Sequence, residues 1–345
     1  MLNCGAMRSL FLLVLFCFGS LQAMTRAQQP AVVQLEISSV GVRTLRFEDE
    51  TRSRPVLVEL WYPTAQNDPI AELEPSELLW VHPKEVRNAS LAAVEKKKYP
   101  LVLISHGHRG DRRNFSWLAS VLVKRGFIVA AIEHHGNSWH SYDPHVSLRF
   151  WERARDISFA ITQLLKDPNF GKSVDPNRIG FVGFSLGGMT GLSLAGAKAE
   201  NVKQIAMQQQ ARFKEIETEV VEKIDFTEAQ QSFQEPRIRA MVLFSPATFV
   251  FPSATFKKIS IPVALFASTG DEMLPFKEHA SRLLEHLKPT KQKVYGDQVR
   301  HDVFVNLKSE AGWQARPQGT KHTDQVAIHQ EVGETTASFF QQALK

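Results

Sequence analysis

Eight short apolar runs, separated by segments with apolar residues at helical spacing, constrain this chain more than any other feature. They fall at about Val32 to Ile37, Val56 to Tyr62, Leu101 to Ile104, Ile128 to Ile132, Ile179 to Val182, Ala240 to Phe244, Val263 to Ala267 and Lys293 to Tyr295. Several are rich in Val and Ile and too short to be helices. The alternation is that of a mostly parallel sheet covered by helices on both faces. Helices are expected at Asn114 to Lys124, Trp151 to Leu165, Leu186 to Ala197, Lys277 to Leu287 and Thr335 to Leu344. Asp111 or Asn114 is placed to cap the first of them, and Gly126 to end it.

Two segments stand outside this plan: a polar stretch from Ala65 to Lys98 and a Gln- and Glu-rich stretch over about 201–237. In the second, Phe213, Ile216, Val220 and Ile224 recur at helical spacing, which suits a helical insertion acting as a lid.

The first 27 residues differ in kind. Arg8 precedes an apolar run from Leu10 to Phe18, followed by small residues with cleavage points after Ala23 or Ala27. That order describes a secretory signal peptide, and the run is shorter than the ~20 residues a membrane span needs. The reading is an exported chain, periplasmic or secreted, whose mature part, residues 28–345, is one domain. Cys4 and Cys17 are the only cysteines and leave with the signal, so cysteine usage does not report the redox compartment. The formal charge of +5 falls to +3 without Arg8 and Arg26, too little to argue for nucleic acid as a partner.

The run Gly183-Phe184-Ser185-Leu186-Gly187-Gly188 lies between the strand Ile179 to Val182 and a helix. A serine hydroxyl needs a neighbouring base and an exposed oxygen to act as a nucleophile. A strained strand-to-helix turn with flanking glycines supplies the exposure, so Ser185 is the candidate nucleophile. The turn also puts Ser185 at a helix N-terminus, where developing negative charge is favoured. The Leu186 N–H is the first expected oxyanion donor. The second is the His108 N–H, in the loop Ser105-His106-Gly107-His108 after an earlier strand.

An acid and a histidine should follow the serine in chain order. Asp271 stands in Gly270-Asp271 after the strand Val263 to Ala267, with Glu272 as its neighbouring rival and Asp297 as a more distant one. Of the histidines beyond Asp271, His279 and His286 fall on an expected helix. His301 follows the last strand, where the base has to be, and would relay the Ser185 proton while Asp271 holds its tautomer.

Six histidines, His106, His108, His134, His135, His140 and His145, crowd between residues 106 and 145. None has the pair spacing of a strong zinc motif, so a polar rim around a pocket is the preferred reading and no metal or other cofactor is expected. Trp139, Tyr142, Phe150 and Trp151 are candidate pocket walls. Arg155 and Asp156 are read as a structural ion pair fixing this loop.

Leu60-Trp61-Tyr62-Pro63, Ser105-His106-Gly107, Glu133-His134-His135, Asp175-Pro176-Asn177-Arg178-Ile179-Gly180 and Gly270-Asp271 occur in this order between about residues 55 and 305. In them the chain resembles the α/β-hydrolases grouped as predicted dienelactone hydrolases and bacterial relatives of platelet-activating-factor acetylhydrolase. The resemblance implies the α/β-hydrolase fold and ester hydrolysis. The expected substrate is a small-molecule or lipid-like ester, with transient contact at a membrane surface as an accompanying expectation. The chain departs from dienelactone hydrolases in carrying Ser185 where they use cysteine. It departs from the acetylhydrolases in having Ser245-Pro246-Ala247 where their acid stands. A peptidase or amidase of the same fold, and a binding protein on a hydrolase scaffold, are the competing readings.

Overall fold

The computed structural model describes residues 39–68, 72, 77–92, 98–213, 217–320 and 322–345. The expected signal peptide and the expected strand Val32 to Ile37 lie outside the described residues. Nine described strands, β1 (Ser39–Asp49), β2 (Arg54–Thr64), β3 (Val86–Arg87), β4 (Tyr99–Ser105), β5 (Ile128–His134), β6 (Val174–Phe184), β7 (Ile238–Phe244), β8 (Val263–Ser268) and β9 (Lys291–Tyr295), form one sheet. Their order is β3-β1-β2-β5-β4-β6-β7-β8-β9. Strands β4 to β9 are mutually parallel, and β2 joins β5 and β1 antiparallel.

Ten described helices complete the fold: α1 (Ser116–Lys124), α2 (Pro144–Ser147), α3 (Trp151–Lys166), α4 (Leu186–Leu194), α5 (Val202–Phe213), α6 (Thr218–Lys223), α7 (Ser253–Phe256), α8 (Ala280–His286), α9 (Glu310–Ala315) and α10 (His322–Ala343). Successive strand residues point to opposite faces. Leu101 and Leu103 of β4 therefore pack with Ile157, Ile161 and Leu192 of α3 and α4, whereas Val102 and Ile104 pack with Leu118, Leu122 and Phe340 of α1 and α10. None of the described helices is long and apolar enough to cross a membrane.

Two local expectations are corrected. Neither Asp111 nor Asn114 caps α1: Asp111 accepts from the Arg113 N–H, and Asn114 from the Asp111 N–H, so both side chains are spent within the preceding turn. Gly126 does end the helix, at φ 86°, with its N–H on the Val123 carbonyl and that of Phe127 on Leu122. The polar stretch 65–98 is not wholly detached from the sheet. Trp61 donates to Glu85 at 2.7 Å and Tyr62 to the Ala89 carbonyl at 2.7 Å, which holds β3 beside β1.

Candidate active site

Parallel strands place their following loops at one end of a sheet, where ligands bind in this class of fold. The register sets the site. Ser105 pairs with Gly183, so the loop after β4 and the turn after β6 leave the sheet level with each other. Ser268 pairs with Tyr295, which does the same for the turns after β8 and β9.

Ser185 occupies the turn between β6 and α4 at φ 56° and ψ −115°. Its N–H donates to the Phe244 carbonyl at 2.9 Å, and its carbonyl accepts from Gly188, Met189 and Ala247. The flanking glycines are demanded by close approach. A Cβ on Gly183 would stand 2.3 Å from the Gly187 oxygen, and one on Gly187 would stand 2.0 Å from the Ser105 oxygen. The second approach presses α4 against the loop carrying His108. Leu186, as the first residue of α4, has its N–H at the end of the helix where no intrahelical acceptor exists.

Asp271 and His301 meet directly, with His301 Nδ1 donating to Asp271 Oδ2 at 2.7 Å. The other oxygen, Oδ1, accepts from the N–H groups of Met273 at 3.0 Å and Leu274 at 2.8 Å. Burial is the largest single influence on Asp271 and raises its pKa, but the hydrogen bond and electrostatic attraction of His301, together with the Leu274 N–H, outweigh it and hold the carboxyl below its ordinary value. The rivals are placed elsewhere: among the described residues Glu272 accepts from the His301 backbone N–H, not its ring, and Asp297 accepts from Thr269. His279 is buried against Thr248, and His286 lies beside Glu285 at the end of α8.

The His301 ring lies 4.8 Å from that of Phe184, the residue before the serine. Ser185 Oγ makes no hydrogen bond to His301 in this arrangement. Catalytic hydrogen bonds of this type commonly tighten only when substrate is bound. A cleft of about 210 Å³ opens at Ser185 and Leu186, with walls that include Leu148, Phe150, Met189, Phe249 and Leu274. The 201–237 insertion contributes Val202, Ile205, Ala206 and Phe226 to the same walls. Trp151 is corrected as a pocket wall: as the first residue of α3 it is only 2% exposed and packs into the core, its indole N–H on Glu228. Trp139 lines a second cleft on the His301 side, and Tyr142 stands edge-on to His108.

Of the six histidines, His106 and His134 are buried and form hydrogen bonds in a polar layer beneath the site, whereas His108, His135, His140 and His145 are exposed. Among the described residues no three His, Cys, Asp or Glu side chains converge on a metal position. His134 shows its tautomer: Nδ1 donates to Asp156 at 2.9 Å and Nε2 accepts from the Ser105 hydroxyl at 2.9 Å. His106 Nδ1 donates to the Gly107 carbonyl, and its Nε2 accepts from the His134 N–H.

Arg155 and Asp156 do not pair with each other. Arg155 reaches Glu152 and Glu228, while Asp156 is gripped by Arg54 at 2.7 and 2.9 Å and by Arg52 at 3.0 Å. The residue that sequence reading missed is Arg153. It donates to the His106 carbonyl, to Ser105 Oγ at 3.1 Å, to Asn137 Oδ1 at 2.8 Å and to Thr190 Oγ1 at 3.2 Å. Since guanidinium only donates, Asn137 must turn its amide nitrogen to His108 Nδ1, 3.0 Å away.

Burial and the Arg153 cation push His134 down to about 3, burial and Arg113 push His82 down to about 4, and burial drives His106 well below its ordinary value. Each imidazole is neutral when folded and gains a proton near pH 6.5 when unfolded. Its stabilising contribution is therefore complete above about pH 6.5 and is lost as pH falls toward the folded values. Thermal melts should be nearly level from pH 8 to about 6.5 and drop steadily from there to pH 4. A Tm unchanged across that lower interval would contradict the neutral assignments.

Serine at a strained strand-to-helix turn after β6 and an Asp-His pair on the turns after β8 and β9, over a sheet covered on both faces, define an α/β-hydrolase. The sequence profile of the prolyl oligopeptidase family matches residues 113–304. The chain belongs to that family. The profile of platelet-activating factor acetylhydrolase, isoform II, matches residues 82–143, which carry Ser105-His106-Gly107 and Glu133-His134-His135. In structure the chain is similar to a ferulic acid esterase from Streptomyces cinnamoneus, with a TM-score of 0.61 and 21% identity over 89% of this chain and 90% of the esterase. That likeness reports the shared fold.

Proposed function

We infer that the protein hydrolyses carboxylic esters through an acyl-Ser185 intermediate, on short-acyl or lipid-like substrates. The observation that carries this reading is the Asp271–His301 pair at 2.7 Å beside the Ser185 turn. His301 Nε2 takes the Ser185 proton as Oγ attacks the ester carbonyl. Asp271 fixes the imidazole by its Nδ1–H and stabilises the imidazolium. The oxyanion is received by the Leu186 and His108 N–H groups, each donor of this kind being worth about 3–4 kcal/mol in the transition state. His301 then protonates the departing alcohol oxygen, and a water activated by the same imidazole releases the acid. The apolar cleft at Ser185 supports an acyl chain as its occupant.

The acetylhydrolase profile over the oxyanion loop and the esterase neighbour favour an ester over an amide, while the family's name keeps a peptidase in view. A fluorophosphonate should label the protein at Ser185. Nitrophenyl esters of increasing chain length should be turned over faster than peptide anilides. Faster anilide turnover would move the assignment to a peptidase, and absence of labelling would sink the nucleophile.

A further inference from the structure

The acyl-enzyme chemistry just proposed fixes which side of the site takes which half of the substrate, and the inference below rests on it. His301 must hand its proton to the leaving oxygen, so the alcohol half lies on the His301 side. That side holds its own cleft, of about 240 Å³, reaching from Gly107 and Phe184 past His301 to Trp80, Trp139 and Arg316. Its chemistry is unlike that of the acyl cleft. Arg109 and Arg316 both line it, both are exposed, and neither is paired with a carboxylate among the described residues.

Each guanidinium is instead laid on an aromatic ring. Arg109 stands 4.5 Å over Tyr142, and Arg316 stands 4.9 Å over Trp139. A cation stacked this way keeps its in-plane N–H groups for another acceptor. The two carboxylates in the cleft do not cancel them. Asp302 is held by Lys308 at 3.3 Å and by the Thr320 N–H, and Asp111 is turned onto the Arg113 N–H at 2.6 Å. Lys308 is itself buried, its ammonium on the Arg316 and Gln318 carbonyls. The cleft beside the general acid thus carries two uncompensated cations within an otherwise satisfied wall.

We propose that this cleft is a leaving-group subsite for an anion, and that the preferred substrates are esters of alcohols or phenols bearing a carboxylate or phosphate. The guanidinium fork matches either anion in two hydrogen bonds. The ester bond cleaves between the acyl carbon and the alcohol oxygen, the acyl group passes to Ser185, and the anionic alcohol departs with the proton from His301.

The test is a matched pair of butyrate esters, of 3-carboxy-4-nitrophenol and of its 3-carboxamide, which differ in charge at nearly constant shape. At 20 mM salt kcat/KM should favour the carboxylate by roughly tenfold, mainly through KM, and the preference should shrink severalfold at 0.5 M salt as the charges are screened. Arg316→Gln and Arg109→Gln should each lower the carboxylate-to-carboxamide ratio, and Arg316→Lys should restore part of it. Equal rates for the two esters in the wild type would overturn the anion subsite while leaving ester hydrolysis standing. Turnover of neither ester would overturn the ester reading instead. Calorimetric titration with 5-hydroxy-2-nitrobenzoate against its amide then decides the subsite alone, with equal affinities counting against it.

Discussion

Replacing Ser185 with alanine will lower kcat for ester hydrolysis by about 10⁶, the loss found where such triads have been taken apart, and will abolish fluorophosphonate labelling. Glycine at the same position will do as much to activity but will raise stability. At φ 56° and ψ −115° the Ser185 backbone sits in a region that glycine tolerates and that costs other residues about 1–3 kcal/mol. The conformation persists because its N–H is tied to Phe244 and its carbonyl to Gly188, Met189 and Ala247, so the surroundings leave the turn no alternative. Ser185→Gly removes nucleophile and strain together and should gain about 1 kcal/mol, or roughly 2 °C in Tm for a domain of this size. Ser185→Ala keeps a Cβ, hence the strain, and should melt close to the wild type. Melts and kcat measured on the three proteins decide both points. A loss of only tenfold in the alanine variant is incompatible with an acyl-serine mechanism, and a glycine variant melting below wild type is incompatible with stored strain.

The parts of this site that could be read in the sequence are those whose chemistry is local. Gly183, Ser185 and Gly187 are neighbours in the chain, and the contacts that demand the glycines arise within the same turn or from the adjacent strand end. Asp271 and His301 were legible because both follow apolar strands and because chain order restricts them. What stayed hidden depends on partners far away in sequence. β1 carries charged residues on both faces, Arg43 on one and Arg46 and Glu48 on the other, which break the apolar run that marked the other strands. The first half of α10 looks too polar to pack. Its polar groups have fixed tasks: Gln325 donates to the Val303 and Val305 carbonyls at 3.0 Å, His329 donates to Val303 at 2.8 Å, and its ring stacks on Trp117. These bonds hold the segment that begins with His301. Trp151 was misjudged for a related reason: an aromatic residue near a loop reads as a wall until the helix phase is known, and that phase turns it into the core beside Ala154 and Ile157.

Helix phase also puts Arg153 beneath the oxyanion loop, and its loss should produce the second large effect. The side chain is 2% exposed, and burial pushes its pKa down to about 9, so it remains a cation at neutral pH. Its nitrogens tie both halves of the proposed oxyanion site to α3. They reach His106 and Ser105 at the start of the loop, Thr190 on the helix that opens with Leu186, and, through Asn137, the His108 ring. Arg153→Met leaves these acceptors buried without a donor and the Asp156 cluster without one of its cations, which should cost about 3–5 kcal/mol. That variant reports stability, so the decisive one for activity is Arg153→Lys. Lysine retains the charge but cannot span four acceptors on two elements as the planar fork does. A folded Arg153→Lys protein should lose about 10²-fold or more in kcat, as expected when an oxyanion donor is displaced, with KM little changed because the acyl cleft is untouched. Arg153 is in this sense a positioning residue, since it touches neither substrate nor reacting atoms. A folded lysine variant with wild-type kcat would show that the loop holds its geometry without the fork, and would confine Arg153 to stability.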